Sequence, residues 1–131
     1  MRLFRKSEER IAREAGAEAE IARLKGLTID ELAVLVLPGL DGEGGGPEHY
    51  LRPQQVCEYL LRDFPDIGVM RPLQLMGRVG RSLVRLEEAG LVTSVSLERS
   101  PRWSITTLGA SALADGTAAQ RLAVPSSSSA G

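Results

Sequence analysis

The segment "VGRSLVRLEEAGLVTSVSLERSPRWSITT", residues 79–107, constrains the fold more than any other stretch, because its hydrophobic period changes inside it. Up to Leu86 the apolar residues Leu73, Met76, Val79, Leu83 and Leu86 recur every three or four positions, the signature of one helix face turned to a core. Ala89 and Gly90 end that helix, with Gly90 at the position that favours a left-handed backbone. Leu86 and Leu91 supply the hydrophobic contact of a Schellman ending. Beyond the glycine, "LVTSVSL" and "WSITTL" alternate with period two around "ERSPR", which predicts a β-hairpin with a basic tip. On the helix, Gln74, Arg78, Arg81 and Arg85 are spaced four, three and four. At about 100° per residue they are expected to share the face opposite the apolar one.

The flanking sequence is mainly helical. Residues 2–25 are rich in Glu, Arg and Ala, with a thin apolar stripe of Phe4, Ile11, Ala15, Ile21 and Leu24. Such a helix is marginal alone, and it is expected to pack on a second copy, lie across the domain or fray. A capping box, Thr28 with Glu31, opens the next helix, "IDELAVLVL", with Leu27 and Leu32 as a hydrophobic staple and Pro38–Gly39 as its stop. The loop "PGLDGEGGGPEHY" lacks the lysine and Ser/Thr that a phosphate-cradling loop needs. Tyr50 and Leu51 suit a short strand, and Pro53 suits the first position of a helix burying Val56, Cys57, Leu60 and Phe64. "LGASALA" predicts a further short helix, and the small-residue, serine-rich end from 117 predicts a disordered tail. The expected class is α+β, mainly α with a small hairpin. Its parts are a charged helix at 1–26 with a dimerisation role, a domain at 27–116 and a tail at 117–131.

Charge is distributed unevenly. The chain carries −1, yet six arginines against three glutamates leave residues 71–102 at +3. That asymmetry fits an anion-binding face on an acidic body. Aromatic residues are 4% of the chain, so the core must rest on Leu, Val, Ile and Ala. One cysteine, Cys57, excludes an internal disulfide and a multi-cysteine metal cluster, and it reads as a buried thiol. No paired carboxylates, metal-ligand spacing or nucleophile–base pair stands out, so neither an enzyme nor a cofactor is expected. "MRLFRK" carries no secretory pattern and "LAVLVLPGL" is too short to span a bilayer, so a cytoplasmic protein without membrane contact is expected.

The order helix, short strand, helix, helix, hairpin, helix resembles the winged helix-turn-helix superfamily. The phrases "VGRSLVRLEEAGLV", "TSVSLERSPRWSITT" and "LGASALA" resemble the recognition helix, wing and following helix of MarR-like and PadR-like bacterial regulators. The resemblance covers about residues 27–114. The loop at 38–49 and the connection "RDFPDIGVMRPLQLM" are longer than in those families, and the long C-terminal dimerisation helix is missing from the pattern. What the resemblance implies is a transcriptional regulator that reads double-stranded DNA with the helix at about 72–89 and the wing at about 91–108, acting as a homodimer. Arginine is the commonest reader of guanine and glutamine reads adenine, both by bidentate contacts in the major groove. The expected contacts are therefore Gln74, Arg78, Arg81, Ser82 and Arg85 from the helix, with Arg99 and Arg102 from the wing on phosphate or in the minor groove. The competing reading is a winged-helix module that binds protein and leaves DNA alone.

Overall fold

A computed structural model describes residues 2–42, 46–65, 67–68 and 70–123, with side chains from residue 8 onward. It is mainly helical with one two-stranded antiparallel hairpin. The elements are α1 (Arg2–Gly26), α2 (Ile29–Val36), α3 (Pro53–Leu60), α4 (Met76–Glu88), β1 (Val92–Leu97), β2 (Ser100–Ile105), α5 (Thr107–Asp115) and α6 (Ala118–Ala123). Short 3₁₀ turns at Leu37–Leu40 and Pro72–Leu75 extend α2 and precede α4. The chain therefore tightens through Pro38 and Gly39 before it leaves the helix. Gly39 sits there under the ring of Tyr59, where a Cβ would lie 2.6 Å from Cδ2.

The second half of α1 lies across the domain. Ala17, Ile21 and Leu24 are buried, and Ile21 and Leu24 join the main core. An ion pair from Arg71 to Glu18 ties the same helix to the approach to α4. Ahead of it Ile11 stays exposed. The capping box forms as read: Glu31 accepts from the Thr28 backbone N–H at 2.8 Å, and Thr28 Oγ1 accepts from the Glu31 N–H at 3.1 Å. The Thr28 backbone N–H first, and then the Thr28 hydroxyl, hold the Glu31 carboxyl below its ordinary range.

Leu51 bridges Trp103 through a pair of backbone hydrogen bonds, 2.7 and 2.8 Å long, laying a one-residue third strand beside β2. Pro53 then starts α3, and the Gln55 carboxamide accepts from the Arg52 N–H at 2.8 Å. Val56, Cys57 and Leu60 are buried; α3 stops at Leu60, so Phe64 packs from beyond the helix. Burial, reinforced by the charge of Glu58, pushes the Cys57 thiol up to about 11.

The end of α4 is a full Schellman motif: Leu91 N–H donates to the Leu86 carbonyl and Gly90 N–H to that of Glu87, both at 3.0 Å, with Gly90 at φ +79°. The hairpin differs from expectation at its tip. The turn is two residues, Glu98 and Arg99, both left-handed at φ +50° and +68°, the backbone of a tight primed turn. Ser100, Pro101 and Arg102 belong to β2 instead of the turn. Pro101 is tolerated because it faces Ser96 one step beyond the closing pair Leu97–Ser100. In a two-residue hairpin that step is a non-hydrogen-bonded pair, so no ladder donor is lost.

Thr106 caps α5 by accepting from the Gly109 N–H at 3.0 Å, and its own hydroxyl donates to the Gly90 carbonyl at 2.7 Å. Residues 117 to 123 correct the expectation of a disordered tail. Gly116, at φ +73°, ends α5, and α6 follows with Ala118 and Leu122 buried. The apolar pair four residues apart lets "AAQRLA" dock onto α2. Residues 124–131 lie outside the described ones.

Candidate nucleic-acid interface

The arginine stripe of α4 does not project away from the core as expected. Val79, Ser82, Leu83 and Leu86 are the fully buried residues of this helix, joined by Leu75 from the turn before it. Ser82 enters the core because its hydroxyl donates to the Arg78 carbonyl one turn back, at 2.9 Å, so its polar group is satisfied within the helix. This corrects its assignment to a base or phosphate contact. Leu73, in the turn ahead of the helix, and Met76 are only half-buried, while Leu75 and Ser82 are buried, and together these move the centre of the buried face. At about 100° per residue, Arg78 and Arg85 then lie roughly a quarter-turn from the core instead of opposite it.

Both flanking arginines are consumed by the protein itself. Arg78 is half-buried and donates through Nη2 to the Leu27 carbonyl, just past the end of α1. Its Nε is buried without an acceptor among the described residues. Arg85 spans three elements: Nε meets Asp30 Oδ1 of α2 at 3.1 Å, Nη2 donates to the Leu122 carbonyl in α6, and Glu88 Oε2 lies 3.9 Å from Nη1. A guanidinium at the C-terminal end of α6 also meets the negative end of that helix dipole. These side chains staple α4 to the α1–α2 corner and to α6. Arg85 also lines the open groove on α4.

The exposed line of α4 runs through Gly77, Arg81, Val84 and Glu88, with Gly80 beside it. It floors an open groove of about 600 Å³, bounded by Ile29 on one side and by Pro53, Pro101 and Trp103 on the other. Among the described residues nothing outside the helix's own backbone lies within 4 Å of where a Cβ would stand on Gly77 or Gly80, so the backbone of α4 can be approached closely. Arg81 is exposed and makes no hydrogen bond or ion pair with the described residues. Gln74, at the start of the segment, is exposed and accepts from Lys25 Nζ at 3.3 Å.

Across Pro53 from the groove lies a second, polar pocket of about 420 Å³, lined by Tyr50, Arg52, Gln54, Gln55 and Arg102. Among the described residues it holds two guanidiniums and no carboxylate, at the positive N-terminal end of α3. Arg102 is half-buried in β2, and its Nε is buried with no acceptor among the described residues. Arg99 is exposed at the hairpin tip. Among the described residues, four cations thus stand without a protein partner around α4: Arg52, Arg81, Arg99 and Arg102. Sequence reasoning missed Arg52, Gln54 and Gln55. The signal was present, since a residue ahead of a helix-starting proline sits at the cap, where free N–H groups and the dipole attract anions.

Among the described residues no group of three or more His, Cys, Asp and Glu is disposed to hold a metal ion, and no helix is long and apolar enough to cross a membrane. No protein-family model, curated protein or solved structure matches this chain.

Proposed function

We propose that the chain is a winged-helix module of a cytoplasmic transcriptional regulator and binds double-stranded DNA. Arg81 reads bases from α4, while Arg52, Arg102 and Arg99 hold phosphates from the start of α3 and from the hairpin. The order α2, Leu51 bridge, α3, α4 and hairpin supports the winged-helix reading. The observation that carries the DNA reading is the pocket of Arg52 and Arg102 beside the exposed face of α4, free of acids among the described residues, with an Arg102 Nε that has no acceptor among them. A buried donor without an acceptor is costly, and a phosphate oxygen would satisfy it. The open glycines at 77 and 80 favour close approach of the helix to a groove floor.

A protein-docking role has its own support, because the groove over Gly77, Gly80 and Val84 is largely apolar and ends at Glu88. Salt separates the two readings. Binding of a random duplex should weaken with salt, with a log–log slope of about −0.9 for each phosphate contacted. Arg52→Ala and Arg102→Ala should each reduce that slope by about one unit and weaken all sequences alike. A wild-type protein that does not bind duplex, or binds it with no salt dependence, would remove the DNA reading in favour of protein docking.

A further inference from the structure

The groove on α4 is self-complementary. Arg81 and Glu88 stand seven residues apart on the exposed line, about two turns or 10.5 Å, with Val84 between them. Val84 is 47% exposed, an aliphatic side chain left on the surface between unlike charges. If a second α4 lies antiparallel over the first, with the two-fold axis between residues 84 and 85, Arg81 of each copy faces Glu88 of the other. The two Val84 side chains then meet at the axis. A parallel arrangement would set Arg81 on Arg81 and Glu88 on Glu88, so charge selects the antiparallel one. Trp103, on the groove wall, adds an independent mark. It is 7% exposed, yet its indole N–H has no acceptor among the described residues. Buried indoles ordinarily find one, and a chain seated in the groove would bring carbonyls and carboxylates to it.

We infer that the α4 groove seats the α4 of a second copy of this chain in a two-fold antiparallel dimer. Because this dimer covers Arg81, it competes with duplex DNA; that second half rests on the function proposed above. The protein then stores itself as a dimer that must part before α4 can enter a groove. This interface is separate from α1, the helix to which the sequence pointed for dimerisation.

Charge reversal tests it. Sedimentation velocity of the full chain over a wide concentration range should show a monomer–dimer equilibrium. Arg81→Glu and Glu88→Arg should each weaken it about tenfold or more, since each sets like charges face to face. An equimolar mixture of the two variants should regain the dimer, because the mixed pair restores both unlike contacts. Glu88 lies near Arg85, so a melt of each variant checks that it is folded, and Val84→Glu, away from that contact, should also give a monomer. A wild type that is monomeric throughout, or a mixture that fails to reassociate, would overturn the inference. The DNA half is read on Glu88→Arg, which keeps Arg81. It should bind duplex more tightly than wild type at concentrations where wild type is dimeric. Equal affinity at those concentrations would overturn the competition, whereas no duplex binding by any form would overturn the DNA reading and leave the dimer in place.

Discussion

Gly109 is where a single methyl group should cost the most. A Cβ there would stand 2.1 Å from the Leu91 carbonyl oxygen and 2.7 Å from Ile105 Cγ1. The first of these is backbone, held by the Thr106 N–H at 3.0 Å, so it cannot swing aside as a flexible side chain would. Gly109→Ala must therefore push α5 off the junction of α4 and the hairpin. Overpacking of that kind costs about 1–3 kcal/mol. Loss of the Thr106 bond to Leu91 adds about 1 kcal/mol. Against this, replacing a helical glycine by alanine returns about 1 kcal/mol. The net is a destabilisation of roughly 1–3 kcal/mol, with the melting temperature lowered by about 3–12 °C in a domain this size. The control is Gly77→Ala, where a Cβ meets nothing within 4 Å and the helix-propensity gain stands alone. Thermal and urea unfolding followed by circular dichroism would compare the three proteins. If Gly109→Ala melts at or above the wild type while Gly77→Ala behaves as expected, the close approach of α5 to Leu91 is wrong.

Four further outcomes are expected. Leu122→Ala should destabilise the domain by about 2–5 kcal/mol, the range for emptying a buried leucine site; no effect in urea unfolding would return α6 to the solvent. Thr28→Ala should cost about 1 kcal/mol through the lost cap. Because the Glu31 carboxyl is held low, its contribution is complete above the ordinary carboxylate range and disappears as pH falls through the depressed value; acid titration of stability should be shallower in Glu31→Gln than in wild type. With its pKa pushed up to about 11 and its side chain buried, Cys57 should not react with a thiol reagent at neutral pH until the protein is unfolded.

Much of the fold was legible because local rules agreed with one another. The Thr28–Glu31 box, the Pro53 start, the Gly90 stop and the period-two strands each carry a specific backbone requirement, and each formed. The site was less legible, for reasons that lie in tertiary geometry. Ser82 counts as polar in a helical pattern, but a hydroxyl that bonds its own helix can be buried, and with Leu73 and Met76 only half-buried the buried face of α4 turns toward it. Arg78 and Arg85 look free in sequence because their acceptors are main-chain carbonyls at Leu27 and Leu122, 51 and 37 residues away. Helix α6 escaped notice because six residues of small and polar character form a helix only when Leu122 has a core to enter. Arg102 was assigned to the tip because Pro101 reads as a turn residue. Only the register shows that the proline occupies a pair that needs no donor.

On the proposed function, α4 divides its arginines between two tasks: Arg85 holds the protein together and Arg81 meets the ligand. Comparing Arg85→Ala and Arg81→Ala, each for melting temperature and for affinity toward a duplex selected from random sequence, tests it directly. Arg85→Ala should lower the melting temperature and leave duplex affinity unchanged at a temperature where both variants are folded. Arg81→Ala should melt with the wild type and lose about 1–3 kcal/mol of binding, with relaxed preference at one base position. The reverse pattern, a stable Arg85→Ala that no longer binds and an Arg81→Ala that binds as before, would contradict the division.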